Sequence, residues 1–179
     1  CVDHLDGMFS FAIYDKRDGE RMLLARDRLG KKPLYYCDTG DALIFGSELK
    51  PVLQDPRVSR KLDLQALGHY LSLLMVPDPL TIFQSVRKLP PGHLLQCDSS
   101  GVQVRRYWDY PLNDSYAEFD ERQTLTEIRN LLFEAVEKRL VSEVPLGAFL
   151  SGGLDSSIIV SIMSQLLEEP VKTFSIGFE

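Results

Sequence analysis

The residues most able to do chemistry lie at Phe149-Leu150-Ser151-Gly152-Gly153-Leu154-Asp155-Ser156-Ser157, between an apolar run and an amphipathic one. Two adjacent glycines remove side-chain bulk where a strand turns into a helix, so backbone N–H groups can come close to a ligand. Three hydroxyls and one carboxylate flank them. The following helix adds unpaired N–H donors and a positive dipole end. This combination predicts a pyrophosphate cradle for ATP, with Asp155 placed to hold Mg²⁺. The ordinary alternative is a plain strand-to-helix turn, because Ser and Asp also cap helices well. The flanking strand and helix are the context that a phosphate site requires. The stretch is not a Walker A loop: no Gly-Lys-Ser/Thr follows, so no lysine reaches a γ-phosphate. A grip on pyrophosphate suits an enzyme that cleaves ATP between its α- and β-phosphates.

The elements that position this loop follow from periodicity. Residues 123–141 carry Leu125, Ile128, Leu131, Leu132, Ala135, Val136 and Leu140 as one stripe of a long helix, expected to pack in the core. A strand over 146–150, the glycine turn, a helix over 154–167 and a strand over 171–176 make one βαβ unit. Such a unit implies a parallel sheet with a right-handed crossover, and ligands of these sheets sit beyond the carboxyl ends of the strands. The loop at 151–157 lies at that place.

The chain before it has a different rhythm. Residues 8–15 alternate in period 2 through Phe9, Phe11 and Ile13. Arg17-Asp18-Gly19 signals a hairpin turn to a partner strand over 21–26. Short strands over 33–37 and 42–47 follow, then a short helix over 48–53. Asp63 caps a helix over 64–74, whose Leu64, Leu67, Leu71 and Leu74 share one face. Residues 93–97 and 102–107 form a second hairpin. The piece reads as an antiparallel meander. The polar 111–120 stretch reads as a linker between a domain at 1–110 and another at 121–179.

Composition limits the partners. The chain has 179 residues, 44% of them apolar, and a net charge of −6. That balance argues against a nucleic-acid surface, which should be basic. The 28–32 patch is a short solvated turn. Cys1, Cys37 and Cys97 form no C-x-x-C pair, and three free thiols suggest a reducing, cytoplasmic setting. His4, His69 and His93 show no metal-ligand spacing. The apolar run at 71–76 is far too short to span a bilayer, and no signal peptide is visible. The chain opens at Cys1 and closes directly after a strand-like run, which reads as an internal fragment.

The motifs together resemble the glutamine-hydrolysing asparagine synthetases. Residues 151–157 match the pyrophosphate-binding motif of the ATP pyrophosphatases, which alone would also fit GMP synthetases and related ligases. Upstream, Asp6-Gly7-Met8-Phe9-Ser10-Phe11-Ala12-Ile13-Tyr14-Asp15 and Ala25-Arg26-Asp27-Arg28-Leu29-Gly30-Lys31-Lys32-Pro33-Leu34-Tyr35-Tyr36 look like that family's glutaminase domain. So do Phe45-Gly46-Ser47-Glu48-Leu49-Lys50 and Leu89-Pro90-Pro91-Gly92-His93. The resemblance implies an α+β part followed by an α/β part. The first would be the later portion of an N-terminal-nucleophile glutaminase sandwich of antiparallel sheets. The second would be the first βαβ unit of a parallel-sheet ATP-pyrophosphatase domain.

The resemblance also implies the reaction: glutamine supplies ammonia, aspartate is activated by ATP as an acyl-adenylate, and ammonia displaces AMP. Ser151, Gly152, Gly153, Asp155, Ser156 and Ser157 would hold pyrophosphate, with Asp155 on Mg²⁺. Leu150 and Leu154 fall within the nucleotide contact, and Ile176, beside Gly177, matches a position whose backbone meets adenine. Partners would be ATP, aspartate and glutamine, with no nucleic acid or membrane, and a homodimer is an expectation for the complete protein. Cys1 is not expected to be the glutaminase nucleophile, because Val2-Asp3-His4-Leu5-Asp6 belongs to the middle of that domain; the nucleophile would lie upstream. Arg26 and Asp27 are expected to shape the domain, and Trp108 to pack near its junction. Two alternatives stay open: a related enzyme that amidates or cyclises another carboxylate, and a catalytically inert piece.

Overall fold

The computed structural model describes residues 1–17, 19–112 and 120–177. The chain divides into two compact units, Cys1–Leu112 and Asn113–Glu179. Most of the 111–120 stretch read as a linker, and the turn residue Asp18, lie outside the described residues.

The first unit is built on β1 (Ser10–Asp15), β2 (Arg21–Arg26), β3 (Tyr35–Asp38), β4 (Leu43–Gly46), α1 (Leu49–Val52), α2 (Leu64–Leu73), β5 (Arg87–Lys88), β6 (His93–Asp98) and β7 (Gly101–Arg106). β1, β2, β6 and β7 form an antiparallel sheet in that order, and β4, β3 and β5 form a second one. In β2, Leu24 and Ala25 point to opposite faces, and both are fully buried. Leu24 and Leu95 pack with Leu34 and Leu89 in one cluster. Ala25 and Leu94 pack with Val2 in another. A strand covered on both faces reads as a continuous apolar run, and Met22-Leu23-Leu24-Ala25 does so. Full burial of a leucine such as Leu24 or Leu95 contributes about 1.5–3 kcal/mol.

The turn after β2 is held by a buried carboxylate. Asp27 Oδ1 accepts from the N–H groups of Leu29 and Lys31 at 3.2 and 2.9 Å, and Oδ2 accepts from Lys32 N–H at 2.9 Å. Arg26 donates to the carbonyls of Gly30, Lys32 and Leu89 at 2.8, 2.9 and 2.6 Å. Tyr107 Oη closes the same corner by donating to the Arg26 carbonyl at 2.8 Å. These bonds give the two residues the domain-shaping role read from the sequence.

The start of α2 follows its sequence signal. Asp63 accepts from the N–H groups of Gln65 and Ala66, both at 3.0 Å. Its apolar face is not covered, however: Leu64, Leu71 and Leu74 are exposed and only Ala66 is buried.

The second unit contains α3 (Glu121–Glu137), β8 (Gly147–Phe149), α4 (Leu154–Leu166) and β9 (Lys172–Phe174). Asp120 caps α3 by accepting from Gln123 N–H at 3.1 Å. β8 and β9 pair in parallel, with Gly147 opposite Lys172 and Phe149 opposite Phe174. Val136, Ile162 and Met163 form the core, with Leu132, Leu140, Ala148 and Val171 against it. The expected core stripe of α3 is thus buried only toward its C-terminal end; Leu125, Ile128 and Leu131 are exposed. Among the described residues, no helix is long and apolar enough to cross a membrane.

Candidate nucleotide site

The candidate loop leaves the carboxyl end of β8 and enters α4. Leu150 N–H still donates to the Phe174 carbonyl at 2.9 Å, so the loop starts where the parallel pair ends. Gly152 takes φ +78°, a left-handed conformation that favours glycine, and nothing lies within 4 Å of where its Cβ would stand. Gly153 is the extended N-cap residue of α4, and no side chain caps the helix there. The first-turn N–H groups of Leu154, Asp155 and Ser156 lack intrahelical acceptors, and the helix dipole adds partial positive charge at the same spot.

The loop braces itself. Ser156 Oγ donates to the Gly153 carbonyl at 3.1 Å, accepts from Ser151 N–H at 3.3 Å and lies 3.1 Å from Ser151 Oγ. Ser157 donates to the same Gly153 carbonyl twice, from Oγ at 2.8 Å and from N–H at 3.1 Å. The Ser156 and Ser157 hydroxyl protons are therefore spent inside the loop. What the loop turns outward is backbone N–H and the Asp155 carboxylate. Asp155 makes no hydrogen bond or ion pair among the described residues.

Leu154 and Ile176 are largely exposed, as is Gly177, while Leu150 is half-buried. Ser175, which no sequence signal singles out, donates from Oγ to the Leu150 carbonyl at 2.6 Å. The loop, Ile176 and Gly177 thus gather at the carboxyl ends of the two parallel strands.

Among the described residues, no group of three or more His, Cys, Asp or Glu side chains could hold a metal. A single free carboxylate is nonetheless what Mg²⁺ needs when phosphate oxygens and water supply its other ligands. Asp155 fits that donor set.

Among the histidines and cysteines of the first unit, Cys37 is buried and Cys97, His69 and His93 are half-buried, whereas His4 is exposed. His93 Nδ1 lies 2.7 Å from the Pro91 carbonyl. Burial pushes the Cys37 and Cys97 thiols above their ordinary range, the opposite of what activates a thiol nucleophile. Cys1 is exposed.

Residues 1–108 match the glutamine amidotransferase domain family. The chain belongs to that family. Residues 127–179, which include the whole candidate loop, match the asparagine synthase family. Over its full length the chain is 39% identical to a putative glutamine-hydrolysing asparagine synthetase 2 of Methanocaldococcus jannaschii, across 35% of that protein. It is 38% identical, again over its full length, to the glutamine-hydrolysing asparagine synthetase 3 of Bacillus subtilis, across 30% of that protein. Amidase chry2 of Gibberella zeae is 33% identical over 96% of the chain, across 25% of its own length. The chain spans about a third of the length of the curated relatives it matches. In this amidotransferase chain the antiparallel sheets belong to the stretch matched by the first family, and the βαβ loop to the stretch matched by the second.

Proposed function

We propose that this chain works within an ATP-dependent, glutamine-hydrolysing asparagine synthetase. The overall reaction takes L-aspartate, L-glutamine and ATP to L-asparagine, L-glutamate, AMP and pyrophosphate by way of an aspartyl-adenylate. The first unit belongs to the part that hydrolyses glutamine, and the second holds the nucleotide. The observation that carries this reading is the loop at 151–157. It presents unpaired N–H groups and one free carboxylate at the ends of two parallel strands, inside the segment that matches asparagine synthase.

The chain's own groups have defined tasks. Gly153 N–H is engaged by Ser151 Oγ at 3.5 Å. The backbone N–H groups of Leu154, Asp155 and Ser156, with that of Gly152 beside them, would donate to the phosphate oxygens. They are fixed in place before the ligand arrives, so little reorganisation accompanies the build-up of charge on the leaving pyrophosphate. Ser151 Oγ supplies a further polar contact beside them. The Asp155 carboxylate would hold Mg²⁺, which when bound would supply charge neutralisation for the phosphates. Ser156 and Ser157 keep the loop in shape through the Gly153 carbonyl. Leu150 and Leu154 flank the nucleotide, and the backbone of Ile176 and Gly177 faces the base. A cytoplasmic location, suggested by the three free thiols, and a homodimer of the complete protein, suggested by the resemblance, belong to the same proposal.

In the full-length protein, Asp155→Ala should abolish aspartate-dependent exchange of pyrophosphate into ATP while glutamine hydrolysis survives. Near-normal exchange in that variant would refute the site. The relatives named amidases favour a second reading, in which the same chemistry serves another carboxylate. Assaying exchange with aspartate against a panel of other carboxylic acids separates the two.

A further inference from the structure

Past Phe149 and Phe174 the two parallel strands stop pairing as a ladder. Leu150 N–H donates to the Phe174 carbonyl. In a continuing parallel ladder, the next bond would run from Ile176 N–H to the Leu150 carbonyl. That carbonyl accepts instead from Ser175 Oγ, at 2.6 Å. Ile176 N–H and C=O consequently make no hydrogen bond among the described residues, and Ile176 is 80% exposed.

We propose that Ser175 is a positioning residue for the purine base, its hydroxyl standing in for the missing rung so that the Ile176 backbone donor and acceptor stay free. The assignment rests on the reading of 151–157 as the phosphate site. One carbonyl then serves both ends of the nucleotide. Leu150 is the residue from which the phosphate loop departs, and Ser175 anchors it to the strand end from which Ile176 departs. A base edge carrying adjacent donor and acceptor groups, as adenine does, is read by a free backbone N–H and C=O without a dedicated side chain. Without the Ser175 hydroxyl, the Leu150 carbonyl is open to Ile176 N–H. Extending the ladder by that bond removes the donor from the base.

The test uses the full-length protein and three variants. Ser175 is exposed, so shortening it to alanine leaves the core intact. Losing one or two net hydrogen bonds to the base corresponds to roughly a 5–10-fold loss of affinity. Ser175→Ala should therefore raise KM for ATP about 5–10-fold while kcat stays within about twofold, and it should narrow the preference for ATP over GTP. Ser175→Thr, which keeps the hydroxyl on a residue suited to a strand, should restore both. Unchanged KM and base preference in Ser175→Ala, or a Ser175→Thr as impaired as the alanine variant, would overturn the assignment. Asp155→Ala is the companion control. If it retains exchange, the phosphate site itself is wrong and this assignment falls with it. If it loses exchange while Ser175→Ala behaves as wild type, only the role of Ser175 is wrong.

Discussion

Arg26 Nη1 lies 3.1 Å from Asp78 Oδ2, joining the end of β2 to a loop 52 residues further along the chain. The Arg26 side chain is 9% exposed and that of Asp78 25%. Lys88 shares the carboxylate at 3.1 Å and also donates to the Val76 carbonyl. Removing one partner of such a pair leaves a charge with too few neighbours, and here three backbone carbonyls lose their donor as well. Because Lys88 still neutralises Asp78, Arg26→Ala should cost about 3 kcal/mol, the low end for a broken buried pair. Arg26→Lys should recover only part of this, since an ammonium cannot reproduce the planar fork. Urea unfolding followed by the chain's single tryptophan, Trp108, reads the effect within the same unit.

Some of this was legible in the sequence and some was not. Local signals carried well. The β2 bounds follow from a run of apolar residues between Arg21 and Arg26, and the start of α2 follows from Asp63. The glycine pair and the parallel strands around it were likewise readable, because a βαβ unit is a local pattern. Side-chain bonds across long separations were not. Nothing in the order of residues says that Arg26 meets Asp78, or that Ser175 reaches Leu150. The two-residue strand β5 is too short to show a period. The leucine stripe of α2 announced a helix correctly, but an amphipathic pattern says only that a face is apolar. Leu71 and Leu74, at 71% and 81% exposure, show that it does not say what covers that face.

Alkaline pH should destabilise the first unit through Cys37. This thiol is 2% exposed, and burial pushes its pKa up, with Asp38 and Asp55 adding to the effect and a hydrogen bond with Ser85 opposing it. The folded pKa lies above the unfolded value of about 8.5. The corresponding stability is fully present below that unfolded value and is lost as pH rises through the folded one. Cys97 is shifted in the same direction and reinforces the slope there, whereas Tyr36 and Tyr107, also shifted up, add to it only above their unfolded value of about 10. The urea midpoint should fall between pH 8 and pH 10, on the order of the span these groups cover, and fall less steeply in Cys37→Ala. An equal slope in wild type and variant would remove Cys37 from the explanation. A thiol reagent at pH 8 should label exposed Cys1 at once and Cys37 only as the unit unfolds.

Two of the left-handed glycines, Gly92 and Gly152, should respond to the same substitution in different ways. At Gly92, with φ +65°, a Cβ would stand 2.7 Å from the Trp108 carbonyl oxygen, a backbone atom that cannot move aside cheaply. Gly92 also accepts from the N–H groups of Tyr107 and Trp108 and donates to the Asp27 carbonyl, so any shift breaks the corner around Asp27. Gly92→Ala should therefore cost the left-handed penalty of about 1–2 kcal/mol plus the clash, and it should lower the urea midpoint of the first unit clearly. At Gly152 the space is open, and only the backbone penalty of about 1–2 kcal/mol applies. That penalty falls on the loop conformation itself, and under the proposed nucleotide reading the new methyl would crowd the approach of phosphate. In the full-length protein Gly152→Ala should leave the global unfolding transition nearly unchanged and raise KM for ATP about tenfold or more, an amount equivalent to at least ~1.4 kcal/mol. A Gly152→Ala protein with wild-type KM would show that this backbone conformation is not what the nucleotide uses.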